Sequence, residues 1–146
     1  MFTAGQIFYF SPFYFKNGNT AKNKYFIVLK TVGDVNVIAS LPTRTNSVPS
    51  FLSQTHGCIN YDDGCFNCYV FEGGRAICDN GFSFRTHTFV YGNEVENYEM
   101  SILKSIYPIE GVDYYIEGNL LSNELDELIK CIKESKSVYR KIKRML

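Results

Sequence analysis

The sequence predicts a small α+β domain built on a strongly bent sheet or barrel. Short strand-like segments come first and helical patterns follow. Aromatic residues reach 16%, as twelve Phe and eleven Tyr without Trp, and aromatics favour strands. Near the end, Leu121, Leu125, Leu128, Ile132, Tyr139 and Ile142 recur at helical intervals, a face that must pack on something. With 146 residues, a single domain spanning 1–146 is expected, with a β-rich body over about 5–117 and a C-terminal helical segment over about 122–145.

Each element has its local signal. Gly5 to Phe10 reads as a first strand, interrupted at Ser11-Pro12. Asn17-Gly18 marks a loop. Lys24 to Thr31 is a strongly apolar strand, Gly33-Asp34 reverses the chain, and Val35 to Leu41 returns as the partner of a central hairpin. Pro42 ends it, and 43–54 is polar and strand-poor. Three shorter strands are expected at 57–61, 66–72 and 75–78, with Asp62-Asp63-Gly64 and Glu72-Gly73-Gly74 as the turns between them. Phe82 to Tyr91 alternates like a strand, which would put Arg85 and His87 on one face. Asn93 is expected to cap a short helix near 95–106, stopped by Pro108. A strand is expected at Val112 to Glu117. Ser122 is read as the cap of the last helical segment, with Glu124, Asp126 and Glu127 where the helix dipole favours acids.

Composition narrows the function. Fifteen Lys+Arg balance fifteen Asp+Glu, so no whole-surface attraction draws this chain to nucleic acid. The balance is uneven, however. From Glu124 onward there are four acids and seven bases, leaving the preceding part acidic. The apolar run Tyr25 to Leu29 is far too short to span a membrane. The N-terminal residues carry no signal-like pattern, so a cytoplasmic domain without membrane association is expected. No phosphate-binding loop, dinucleotide fingerprint or nucleophile elbow occurs.

Five cysteines are present: Cys58, Cys65, Cys68, Cys78 and Cys131. Disulfides are not expected in a cytoplasmic domain. Cys65-Phe66-Asn67-Cys68 has the spacing of a zinc half-site, but Cys58 and Cys78 are isolated. Small buried residues in strands are the favoured reading, and no metal site is assigned.

Several segments together resemble a known family. Gly5-Gln6-Ile7 is similar to the G-x-I first strand of MazF/PemK-type toxins, and Lys22 to Leu29 resembles that family's x-x-R-P-x-x-V-L second strand. The strand ending Ala39-Ser40-Leu41-Pro42-Thr43 resembles the family strand that ends in Thr or Ser. Gly81-Phe82-Ser83-Phe84 resembles the later G-L-x-x-x-S region. Gly118-Asn119-Leu120-Leu121, followed by Glu124-Leu125, resembles the approach to the last helix. The order matches over about residues 5–135. The resemblance implies an SH3-like bent β-barrel with helices, a homodimer, and a sequence-selective endoribonuclease neutralised by a small antitoxin protein.

Two departures stand out. Lys24-Tyr25 occupies the place of the family's Arg-Pro, and an ammonium lacks the planar two-donor fork of guanidinium. The segment 45–80 is longer and richer in cysteine. Thr43 retains the family Thr/Ser, and Arg44 beside it can stand in for the missing Arg.

Cleaving single-stranded RNA through a 2′,3′-cyclic phosphate needs a base for the 2′-hydroxyl proton, a cation for the phosphorane and an acid for the leaving oxygen, but no metal or other cofactor. Lys24, Thr43, Arg85 and His87 are the catalytic candidates, and Arg44 and His56 the candidates for RNA contact. Phe8, Tyr9, Phe13, Tyr14 and Phe15 could stack bases, though a small barrel needs most of its aromatics as core. The alternative is a non-catalytic RNA- or protein-binding module on the same fold.

Overall fold

A computed structural model describes residues 2–14, 18, 20–41, 55–61 and 66–146. The fold is α+β, with two antiparallel sheets and three α-helices among the described residues. Five strands form the larger sheet: β1 (Gln6–Phe13), β2 (Lys22–Val32), β3 (Val35–Ser40), β7 (Val95–Glu99) and β8 (Tyr114–Asn119), in the order β7-β3-β2-β1-β8. The smaller sheet is β4 (Gly57–Tyr61), β5 (Phe66–Phe71) and β6 (Thr88–Tyr91), in that order. The helices are α1 (Met100–Ile106), α2 (Ser122–Glu134) and α3 (Arg140–Met145).

Burial on both faces explains why β2 is apolar at consecutive positions rather than alternate ones. Ile27 and Leu29 join Ile7, Val37 and Ala39 in a core shared with Tyr69 and Phe71 of β5 and Leu128 and Ile132 of α2. Phe26 and Val28 point the other way, into a core with Phe8, Phe10, Phe13 and Ile38, closed by Leu103 and Tyr107. The larger sheet is thus a middle layer. Its aromatics mostly fill the second core: Phe13 and Phe26 have ring centroids 4.4 Å apart, and Phe10 and Tyr107 4.7 Å. No closed barrel is formed among the described residues, where one bent barrel was expected.

The β2–β3 hairpin turns at Gly33-Asp34 as expected, with Val32 opposite Val35. β4 falls on 57–61 and β5 on 66–71. Elsewhere tertiary packing overrides local pattern. β1 continues through Pro12 to Phe13, because a register shift between Phe10 and Phe13 accommodates a residue that cannot donate to the ladder. The 75–78 segment is not a strand; it contributes only an isolated bridge from Cys78 to Leu120. Of the 82–91 segment only Thr88–Tyr91 is strand, so Arg85 and His87 are not on a strand face. The helix expected near 95–106 is only Met100–Ile106, because Val95–Glu99 instead pairs with β3 as an edge strand. Ser122 is the first helical residue rather than the cap, and Leu121 stands at the cap position with no side-chain bond. The C-terminal helical segment is divided: α2 ends at Glu134 and α3 begins at Arg140. Tyr139, 79% exposed, does not share the buried face of Leu128, Ile132 and Ile142.

The cysteines depart most from expectation. Cys58 on β4 and Cys131 on α2 form a disulfide. The Asn67 amide lies 3.6 Å from both sulfurs. The bond clips α2 to the smaller sheet across 73 residues of sequence, a closeness that no local spacing encodes. It overturns the expectation that a cytoplasmic domain would form no disulfide. Cys68 and Cys78 are buried thiols, and burial pushes each up to about 12. Cys65 lies outside the described residues, and among those described no cluster of three metal-ligating side chains occurs. No described helix is long and apolar enough to cross a membrane.

Candidate functional site

A cleft of about 560 Å³ opens where β1 and β2 meet the irregular 82–87 segment. Tyr9 and Tyr25 line it side by side. They sit opposite each other in the β1–β2 register, with ring centroids 4.8 Å apart. Phe84 meets Tyr25 edge-on at 5.3 Å, and Phe82 meets Phe84 edge-on at 5.2 Å. Aromatic faces of this kind are platforms for nucleobases.

Lys24, Arg85 and His87 all line this cleft, although 60 residues of sequence separate the first two. Lys24 is half-buried, and its ammonium donates to the Leu41 carbonyl at 2.9 Å, which ties β2 to the exit of β3. Burial holds its pKa below the usual lysine range, against an opposing pull from Glu94. Arg85 is exposed at the rim. Its charge is felt at the Tyr25 hydroxyl, whose pKa burial raises, with Glu117 and Tyr9 adding to the rise and Arg85 opposing it.

The wall carrying Arg85 and His87 is held by backbone contacts rather than by a sheet. The Gly74 N–H donates to the Phe84 carbonyl at 2.8 Å, and the Ile77 N–H to the Phe82 carbonyl at 2.9 Å. Gly73 packs directly against the backbone of Thr86; a Cβ there would lie 2.8 Å from the Thr86 Cα. The Gly73 N–H donates to His87 Nδ1 at 2.9 Å. That bond occupies the lone pair of Nδ1 and places the neutral ring's proton on Nε2. In that form His87 is a donor at Nε2, where the sequence suggested acid and base work together.

His56 lies elsewhere. Its Nδ1 accepts the Glu72 N–H at 3.1 Å, and its Nε2 meets the Glu124 carboxylate of α2. Tyr69 donates its hydroxyl to the same carboxylate at 3.0 Å. This polar group joins α2 to the β4–β5 hairpin beside the disulfide, and His56 is not among the cleft residues. Thr43 and Arg44 lie outside the described residues, as does Phe15. Phe8 and Phe13 are core, and Tyr14 is exposed.

Tyr25 and Glu117 were not singled out by the sequence. Tyr25 reads as one residue of an apolar run and as a departure from the family's Pro, and Glu117 as the end of a strand. The one available signal is Gly118, since a glycine inside a strand often marks a bulge or a close approach.

No family model matches the chain, and no curated protein or solved structure matches it significantly. What the cleft can do is therefore read from its own chemistry.

Proposed function

We propose that the protein is a toxin-type endoribonuclease that cleaves single-stranded RNA in the Tyr9–Tyr25 cleft without a metal. The observation that carries this reading is that Lys24, Arg85 and His87 line one cleft with the adjacent rings of Tyr9 and Tyr25. Bases stack on Tyr9 and Tyr25 while the cations take the phosphate. Arg85 neutralises the phosphorane, and His87 Nε2–H donates to a non-bridging oxygen. Lys24, made more acidic by burial, protonates the leaving 5′-oxygen. One of its N–H donors goes to the Leu41 carbonyl. The products are a 2′,3′-cyclic phosphate and a 5′-hydroxyl. The MazF/PemK resemblance adds an SH3-like barrel, a homodimer, a small antitoxin protein that neutralises the toxin, and the cytoplasm as the place of action.

Purified protein is expected to cleave single-stranded RNA in EDTA and leave a cyclic phosphate. Arg85→Ala and Lys24→Ala should each lower kcat about 10²–10³-fold, by the scale of lost transition-state donors. Thr43→Ala tests the family position in the same assay. Full activity in all three variants would remove the site from this cleft. One observation favours a second reading, a non-catalytic RNA- or protein-binding module: the Lys24 ammonium is tied to a backbone carbonyl, as a structural lysine would be. RNA binding with no cleavage under multiple turnover would establish that alternative.

A further inference from the structure

We infer that Glu117 is the general base of this cleft and takes the 2′-hydroxyl proton of bound single-stranded RNA, an assignment that rests on the ribonuclease reading above.

Two independent observations lead to it. The first is a need for a proton acceptor. With its Nδ1 lone pair given to the Gly73 N–H and its proton on Nε2, neutral His87 has no nitrogen to accept a proton. Lys24 and Arg85 are cations. Among the described residues lining the cleft, Glu117 is the only carboxylate.

The second is a device that aims it. Along β1 and β8, Ile7 pairs with Gly118 but Phe8 pairs with Ile116, so Glu117 is the extra residue of a bulge. Bulges re-aim a side chain relative to the plain alternation of a strand, and they are enriched beside active sites. This one is braced. The Asn80 amide donates to the Glu117 carbonyl at 2.8 Å. Gly118 packs so closely that a Cβ there would lie 2.7 Å from Asn80 Oδ1 and 3.0 Å from the Cys78 Cβ. Ile116 meanwhile packs against the core on the other face of the sheet.

The step balances. The 2′-oxygen passes its proton to the Glu117 carboxylate and bonds to the adjacent phosphorus. The P–O5′ bond breaks, and the 5′-oxygen leaves with a proton from the Lys24 ammonium. Solvent then takes the proton from Glu117 and returns one to Lys24. The other titratable and charged groups lining the cleft with Glu117 are Tyr9 of β1, Lys24 and Tyr25 of β2, and Arg85 and His87 of the 82–87 segment.

The test uses the full chain, a single-stranded RNA oligonucleotide, and pH–rate profiles with thermal melts for wild type, Glu117→Gln and Glu117→Asp. Glu117→Gln should lower kcat about 10²–10⁴-fold, the usual worth of a positioned base, with KM little changed. It should also abolish the fall of kcat/KM toward acid pH that a carboxylate base produces. A 2′-deoxy substitution at the scissile nucleotide should block cleavage. If Glu117→Gln unfolds, Glu117→Asp must retain activity above it together with the acid limb; an Asp variant as inactive as Gln overturns the assignment. Near wild-type cleavage by Glu117→Gln with its acid limb intact overturns the base but leaves the ribonuclease reading standing. A wild-type protein that does not cleave overturns both.

Discussion

At Gly73 a missing side chain holds one wall of the cleft in place. The glycine lets its backbone lie against Thr86, and its N–H orients the His87 ring. Gly73→Ala must push the 85–87 segment outward, because the clash is with backbone rather than with a movable side-chain tip. A loss of about 1–3 kcal/mol is expected, the range for overpacking, read as a lower urea midpoint. Cleavage should fall further than stability alone explains, since Arg85 and His87 move with Thr86. Gly73-Gly74 was legible in the sequence as a turn, but nothing local indicated that it would meet Thr86. The same limit applies to Lys24 and Arg85. Their residue types suggested cation chemistry, whereas their shared cleft is a product of strand pairing and loop packing.

The most informative element is α2. Its buried residues are Glu124, Leu128, Cys131 and Ile132, and Leu128 and Ile132 belong to the helical spacing seen in the sequence, because one face must leave water. Where that face docks depends on partners distant in the chain: Cys58, His56 and Tyr69. The chain-entropy argument values a bridge across 73 residues at about 4 kcal/mol. Reduction with a thiol, or the double variant Cys58→Ser/Cys131→Ser, should lower the urea midpoint accordingly. An unchanged midpoint would mean that packing alone seats α2. The α1 region teaches the converse. Val95 and Tyr98 fit a helical spacing with Ile102, yet 95–99 is strand, because β3 presents an open edge with which it pairs from Val35 to Ala39. Edge pairing satisfies backbone groups that a helix start would leave unpartnered.

Across the molecule, burial of neutral acids gives stability a pH dependence with a definite sign. Cys68 and Cys78 ionise at about 12 in the folded state against an ordinary value of 9.0, and burial also raises Tyr25, Tyr69, Tyr98, Tyr107 and Tyr114. Their contribution is fully present below about pH 9 and is lost as pH rises toward 12, where the unfolded chain is already ionised. Lys24 acts oppositely, since its lowered pKa means that folding gains as the ammonium loses its proton. One lysine is outweighed by two thiols and five phenols, so urea midpoints should fall between pH 9 and 11. The fall should be shallower in Cys68→Ala/Cys78→Ala, and an unchanged slope there would refute the thiol contribution. The α+β class, the central hairpin, the β4 and β5 strands and the existence of an amphipathic C-terminal helix were all legible in the sequence. Those features follow from periodicity and turn chemistry within a few residues. Tertiary packing alone brings about the two sheets of the described residues, the meeting of Cys58 with Cys131, and the place of the bulged Glu117 in one cleft with Lys24, Arg85 and His87. Each of these depends on the register and packing of segments far apart in the chain, and a short window of sequence carries no distance between them.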